Sequence, residues 1–265
     1  MKKLFLALIV AVTFFNIGHA QNDTMYVMKA GAVVGKYNVN TQVDSVIFYK
    51  PQSQASGAYT DIRDGNVYKW VKIGNQVWMA ENLKYLPDVV ALTTGSQTAP
   101  YYYVYGYNGT VVADAKATTN YNTYGVLYNW TAAINGASSS TANPSGVKGI
   151  CPTGWHLPSD AEWKELTDYL GGTSVAGGKL RETGTTHWLS PNAGATNETG
   201  FTALPGGERL GNETLYGIGF VGYWWSATEY DTGKSWGRDL LYNDGVVGSG
   251  HYGKESGISV RCIRD

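Results

Sequence analysis

The sequence is poor in charge. Only 15% of its 265 residues are Asp, Glu, Lys or Arg, against roughly 25% in an ordinary soluble domain. Its 20 basic and 21 acidic residues nearly cancel, so the basic excess that nucleic-acid binding requires is missing. Cysteine is almost absent: Cys151 and Cys262 are the only two. Collagen's strict glycine period is not there, and disordered chains are poor in the aromatics found here. Beyond the first twenty residues no stretch is apolar enough to span a membrane. What is abundant is glycine, with 34 residues, together with 20 Tyr and 9 Trp. These point to a folded, loop-rich, mostly β protein with an aromatic interior or surface.

Residues 1–20 read as a secretory signal peptide. Lys2 and Lys3 give a basic start, Leu4 to Ile17 an apolar core, and Gly18-His19-Ala20 a small-residue cleavage site. The rival reading, a membrane anchor, needs about 20 apolar residues, and Thr13 and Asn16 interrupt this shorter run. Cleavage removes both lysines and takes the net charge from −1 to −3. The expected location is outside the cytoplasm: secreted or on the outer surface, with the periplasm as the remaining exported compartment. No Cys stands at the cleavage point to carry a lipid. In an oxidising compartment, Cys151 and Cys262 are read as one disulfide, with two buried free thiols as the alternative. Two cysteines so far apart have no metal-ligand spacing.

Two modules follow. Residues 21–50 contain three short β-rich runs, MYVMK, AVVGKYNV and SVIFYK, and are expected to form a small β-meander. Residues 51–59, beginning PQSQASGA, have linker composition. The main module, 60–265, opens with turn dipeptides at Asp64-Gly65 and Gly74-Asn75 between short strands. Helices are expected at 124–134, where Leu127, Trp130 and Ile134 recur at helical spacing, and after Ser159. There Ser159 and Glu162 form a capping box, Trp163, Leu166 and Leu170 an apolar stripe, and Gly171-Gly172 the stop. The segments 223–228, 235–242 and 257–263 suit strands, with Asp-Thr-Gly and Asn-Asp-Gly turns between them. The fold class is α+β: two helices against a twisted antiparallel sheet, with long irregular loops.

Six segments carry a resemblance. GNVYKWVKIGNQVWMAENLKYLP (65–87), YGVLYNWTAAI (124–134), GICPTGWHLPSDAEWKELTDYLGG (149–172), GFTALPGGER (200–209), GYWWSATEY (222–230) and SVRCIRD (259–265) resemble, in collinear order, the Fibrobacter succinogenes major paralogous domain. That family is abundant in exported proteins of Bacteroidetes and their relatives. The resemblance covers 60–265 and implies a C-type-lectin-like fold, akin to formylglycine-generating enzymes and phage tropism determinants. In such folds the first and last strands pair near the termini, and the long segment between them carries binding loops. A bridge from a Cys before the second helix to one in the final strand fits Cys151 and Cys262. Some members diversify their C-terminal segments, which makes a variable ligand-binding protein one form of the expectation.

Catalytic patterns are scarce. No GxSxG elbow and no HxxxH or HExxH spacing occurs. Formylglycine-generating relatives use cysteines and metal, and this chain has no cysteine to spare. His156, before the capped helix, is read as structural, His187 as an exposed loop residue, and His251 as a ligand-contacting residue in a Gly-rich turn. The Gly-Gly pairs at 171–172, 177–178 and 206–207 are read as loop hinges. Tyr242-Asn243-Asp244-Gly245 resembles the Trp-Asn-Asp calcium ligands of C-type lectins. The companion Glu-Pro-Asn is missing, and a hairpin turn already explains Asn-Asp-Gly. Cofactors are therefore expected to be none, with calcium at that turn as the minor alternative.

The most informative stretch is 230–257. Alternation puts Trp236, Arg238, Leu240 and Tyr242 on one face and Ser235, Asp239 and Leu241 on the other. Rings mixed with amides and charges suit glycans, whose C–H faces stack while their hydroxyls bond directionally, and they suit protein surfaces too. The expected ligand-binding set is Tyr230, Asp231, Trp236, Arg238, Asp239, Tyr242, Asn243, Asp244, His251 and Tyr252. The expected function is recognition of a glycan or protein ligand at the cell exterior, without catalysis. A carbohydrate-active or oxidase-type enzyme on the same fold and a structural component of a surface assembly are the alternatives.

Overall fold

The computed structural model describes residues 24–29, 32–38, 55–211 and 213–265. The leader at 1–20 and the third β-rich run of the N-terminal meander lie outside them. The chain divides into two units, Met1–Ser53 and Gln54–Asp265. In the first, β1 (Thr24–Lys29) and β2 (Ala32–Asn38) form an antiparallel hairpin whose register slips between Val27 and Met28.

The second unit begins with β3 (Ser56–Thr60), β4 (Val67–Ile73), β5 (Gln76–Met79) and β6 (Tyr102–Tyr103). Then come α1 (Val112–Lys116), α2 (Thr119–Tyr124), β7 (Leu127–Tyr128), α3 (Trp130–Ile134) and β8 (Trp155–His156). The helical pair α4 (Asp160–Tyr169) and α5 (Thr173–Leu180) precedes β9 (Gly206–Arg209) and β10 (Leu215–Ile218). The chain closes with β11 (Val221–Glu229), β12 (Lys234–Leu241), β13 (Val247–Gly253), β14 (Ile258–Ser259) and β15 (Ile263–Arg264). One sheet runs β3-β4-β5-β15-β8, so the last strand returns beside the opening meander. The other runs β10-β9-β11-β14-β7-β6, with β12 and then β13 added to β11. The architecture is mixed α+β.

Strand β11 lies between two apolar cores. Trp225 packs with Tyr68, Tyr128, Trp155 and Ile258 on one side; its neighbour Trp224 packs with Trp78, Trp163 and Phe201 on the other. The period of two along a strand buried on both faces accounts for this split. Seven of the tryptophans, all but Trp70 and Trp236, are buried framework. Arginines serve the interior as well. Buried Arg261 donates to Asn82 Oδ1 at 2.7 Å and to the Phe201 carbonyl, with its guanidinium 4.2 Å over the Phe201 ring. Burial pushes its pKa down to about 9. Arg209 donates to the Leu92 carbonyl at 2.7 and 3.0 Å. Such charges never reach the surface, which is therefore still less charged than the composition suggests.

Cys151 and Cys262 are joined, Cα to Cα 5.9 Å across 111 residues. The bridge ties the segment before α4 to the last strand. The chain-entropy account gives a loop of this length about 4–5 kcal/mol. The capping box before α4 is present: Glu162 N donates to Ser159 Oγ at 3.2 Å, and Ser159 N to Glu162 Oε2 at 2.9 Å. Among the described residues no helix is long and apolar enough to cross a membrane.

Four expectations are corrected. First, the linker 51–59 is in part a strand. Residues 51–54 lie outside the described residues, and β3 pairs with β4 from Ser56↔Val71 to Thr60↔Val67. Its small residues have a packing cause, since a Cβ on Gly57 would sit 2.7 Å from the Trp70 indole. Second, the helix expected at 124–134 is three pieces: the end of α2, strand β7, and α3. Gly125 at φ 78° stops the first, and Asn129 caps the last through its Oδ1, 2.9 Å from Ala132 N. Third, five short helices replace two among the described residues. Gly177 and Gly178 are not hinges but the face of α5, where a Cβ would meet carbonyl oxygens of Val246 and Gly194 at 2.6 and 2.3 Å; Gly206 and Gly207 begin β9. Fourth, the Gly-rich segment around His251 is strand β13, not a turn.

Candidate functional site

The ladder of β12 against β13 decides where the expected binding residues point. Directly opposed residues of an antiparallel pair share a face. Trp236 opposes His251, Arg238 opposes Ser249, and Leu240 opposes Val247. On the other face Ser235 opposes Tyr252, Gly237 opposes Gly250, and Asp239 opposes Gly248. The expected set is thus divided between two faces and the hairpin ends.

The first face carries an aromatic corner. Tyr230 stacks on His251 with centroids 4.1 Å apart and planes 16° from parallel. Both stand nearly upright to Trp236, at 88° with 5.2 Å and 76° with 5.9 Å. Tyr230 is 49% exposed, His251 is exposed, and Trp236 is half-buried. The turn that delivers Tyr230 is fixed by Asp231, whose Oδ1 accepts from the backbone N–H of Gly233 and Lys234, both at 2.8 Å. Asp231 is therefore a turn residue. Lys254 closes the rim by pairing with Glu229 and lying over the Trp130 ring at 4.8 Å.

One rung further along the same face stands Arg238, 4% exposed. It donates to Asp160 Oδ1 at 2.5 Å, to Ser249 Oγ at 2.9 Å, and to the carbonyls of Gly237 and Asp160 at 3.1 and 3.2 Å. Asp160 opens α4, and its N–H donates to Thr228 Oγ1 at 3.0 Å. Asp160 and Ser249 were not in the expected set. The partners of Arg238 lie 78 and 11 residues away, and only the tertiary fold joins them.

The second face carries carboxyls and phenols. Tyr216 opposes Glu208, and Tyr223 opposes Asp239. The Tyr223 phenol engages Glu208, and Tyr252 donates to Asp239 Oδ1 at 2.7 Å. Glycines make room for this arrangement. A Cβ on Gly237 or Gly250 would meet the Tyr252 ring or hydroxyl at 2.9 or 2.8 Å, and one on Gly248 would meet the Asp239 carboxylate at 2.3 Å. Burial lifts the Glu208 pKa to about 7, against a partly offsetting bond from Tyr223. Burial also raises Asp239, outweighing the Tyr252 hydrogen bond. Glu208 and Tyr223 were likewise missed, because nothing in the sequence sets β9 beside β11.

At the far end of the hairpin, two of the expected residues make contacts within the fold. Tyr242 packs edge-on against Phe220 at 5.6 Å. Asn243 is exposed. Asp244 Oδ1 accepts from Val246 N at 2.9 Å, and its carbonyl accepts from buried Arg181, which also holds the carbonyls of Leu241 and Ala193. A guanidinium directed at the turn carbonyl opposes a second cation there. Among the described residues no group of three or more His, Cys, Asp or Glu is placed to hold a metal ion.

The other histidines are built into the frame. His156 is buried between Glu162 Oε1 at 2.7 Å and Asp265 Oδ1 at 2.6 Å. Burial alone would lower its pKa, but the bonds and charges of those two carboxylates raise it. His187 is half-buried rather than exposed, with Nδ1 2.8 Å from Glu182.

The family model of the Fibrobacter succinogenes major domain matches residues 71–264. No curated protein and no solved structure matches the chain.

Proposed function

Since the chain belongs to the Fibrobacter succinogenes major domain family, we propose that it is an exported binding protein that holds a ligand, glycan or protein, at the Tyr230–Trp236–His251 corner. Three accessible rings, two stacked and both nearly upright to the third, carry the reading. Such a corner offers both a ring face and ring edges to an apolar surface. The leader-like N-terminus and the disulfide agree with an extracytoplasmic location. A lectin-like fold belongs to the same proposal, supported by the return of β15 to the opening sheet and the long excursion between β5 and β15. Binding without catalysis is the role we assign.

The test is a glycan and protein array probed with the mature chain and with Trp236→Ala and Tyr230→Ala. The expected result is a ligand whose binding falls tenfold or more in both variants. No ligand on either array, or one held equally by all three proteins, overturns the proposal.

One observation favours a second reading, a carbohydrate-active enzyme. Glu208, with a pKa near 7 beside a phenol, has the poise of a general acid or base at neutral pH. Turnover of a polysaccharide that Glu208→Gln abolishes would favour it over binding alone.

A further inference from the structure

We propose that the ligand at the aromatic corner is a neutral saccharide, and that Asp160 and Ser249, held in place by Arg238, form the subsite that reads its hydroxyls. The inference rests on the corner being the ligand site. It adds the ligand's chemical class and the residues that set specificity.

Its basis is the adjacency of two rungs on one face. Trp236 and His251 form one rung, and Arg238 and Ser249 the next. Side chains two residues apart on a strand are roughly 7 Å apart, within reach of one sugar ring and its exocyclic groups. Arg238 is nearly inaccessible and spends its donors inside the protein, on Asp160, Ser249 and Gly237. It acts as a positioning residue. What it leaves free is complementary to a hydroxyl. Asp160, with a side chain 33% exposed, uses Oδ1 for Arg238, while Oδ2 accepts no hydrogen bond among the described residues. Ser249 is exposed, and its oxygen accepts from Arg238, so its own proton is available to donate. A carboxylate acceptor beside a hydroxyl donor suits a group that is itself both donor and acceptor.

Charge selects against the alternatives. The two buried cations beside the corner are already paired, Arg238 with Asp160 and Lys254 with Glu229, so neither is left to hold an anionic ligand. A uronate or phosphate would meet the free oxygen of Asp160 and be repelled. A ligand cation at that oxygen would lie beside the Arg238 guanidinium.

The experiment uses the full mature chain on immobilised β-1,3-glucan, mannan, xylan and galactan, with polygalacturonate and heparin as anionic probes and a protein array alongside. Wild type is compared with Asp160→Asn, Ser249→Ala and Trp236→Ala, each checked for folding by its thermal transition. Ser249 is exposed, so its variant tests the subsite without disturbing the core. The expected result is binding to a neutral glycan, weakened about tenfold by Asp160→Asn and severalfold by Ser249→Ala, and lost in Trp236→Ala. Asp160→Asn should also gain binding to polygalacturonate. If Trp236→Ala alone loses binding while the other two match wild type, this inference fails and the corner stands. The inference fails in the same way if only anionic or protein probes bind in a Trp236-dependent manner. If nothing binds on any surface, both fail.

Discussion

Replacing Glu208 by Gln should stabilise the protein, and only above a definite pH. Glu208 is 5% exposed, and burial raises its pKa to about 7 from an ordinary 4.5. A carboxyl whose pKa is raised by folding holds its proton longer in the folded state than in the unfolded one. Below pH 4.5 both states are protonated and the group is neutral in the balance. Between 4.5 and 7 the unfolded chain ionises first and stability is lost; above 7 the whole penalty is present. Each pKa unit is worth about 1.4 kcal/mol, so the penalty is at most about 3.5 kcal/mol. Glutamine keeps an acceptor for Tyr223 and removes the charge. In a domain of this size that corresponds to a rise in Tm of roughly 7–14 °C at pH 8. Thermal and urea unfolding of both proteins from pH 4 to 9 is the assay. The difference should vanish near pH 4, grow through pH 5–7 and level off above 8. A difference that is constant with pH, or a variant less stable at pH 8, refutes the desolvation argument. His156 also titrates, but it is common to both proteins and drops out of the difference; Asp239, whose charge adds to the Glu208 shift, is coupled to Glu208, so that coupling is part of the same penalty.

Three further outcomes follow from the same contacts. Reducing the Cys151–Cys262 bridge, or replacing both residues by Ser, should cost about 4–5 kcal/mol in urea unfolding if its loop entropy is fully realised; thiol titration of the unreduced, denatured chain should find none free. His156→Gln should be less stable than wild type near pH 5–6, with the deficit shrinking as pH rises through the elevated pKa of His156, because a raised histidine contributes most when protonated. A pH-independent deficit would refute the ion-pair account. Gly248→Ala should destabilise by about 1–3 kcal/mol, because the new methyl must displace the Asp239 carboxylate; unchanged stability in a melt would show that the carboxylate lies elsewhere.

Local chemistry was legible in the sequence, and distant pairing was not. The capping box before α4 needs only Ser159 and Glu162 three residues apart, and it forms as read. Alternation along 235–241 assigned Trp236 and Asp239 to opposite faces, as the ladder has them. A lone cysteine pair in an exported chain and the family resemblance both pointed to the Cys151–Cys262 bridge, and it is present. The failures involve glycine. Gly57, Gly177 and the glycines of β13 read as linker, hinge and turn because glycine has little intrinsic preference for strand or helix. Each is needed where a bulky neighbour or a backbone carbonyl occupies the space of its missing Cβ. The partnership of Asp160 with Arg238 spans 78 residues, and Glu208 reaches Tyr223 only because β9 and β11 run side by side. No periodicity carries that information.

The most direct test of the aromatic corner uses the tryptophans themselves. Of nine, only Trp70 and Trp236 are not buried, and Trp70 lies far along the chain under the Arg264 guanidinium, 4.4 Å from its ring. Indole N–H resonances of a 15N-tryptophan-labelled mature chain, titrated with hexasaccharides of β-1,3-glucan, mannan, xylan and galactan, report which one meets the ligand. If the corner holds a saccharide, the Trp236 signal shifts saturably with at least one of these sugars while Trp70 stays in place. A Trp236 signal that is unmoved by all of them, or a shift confined to Trp70, contradicts it.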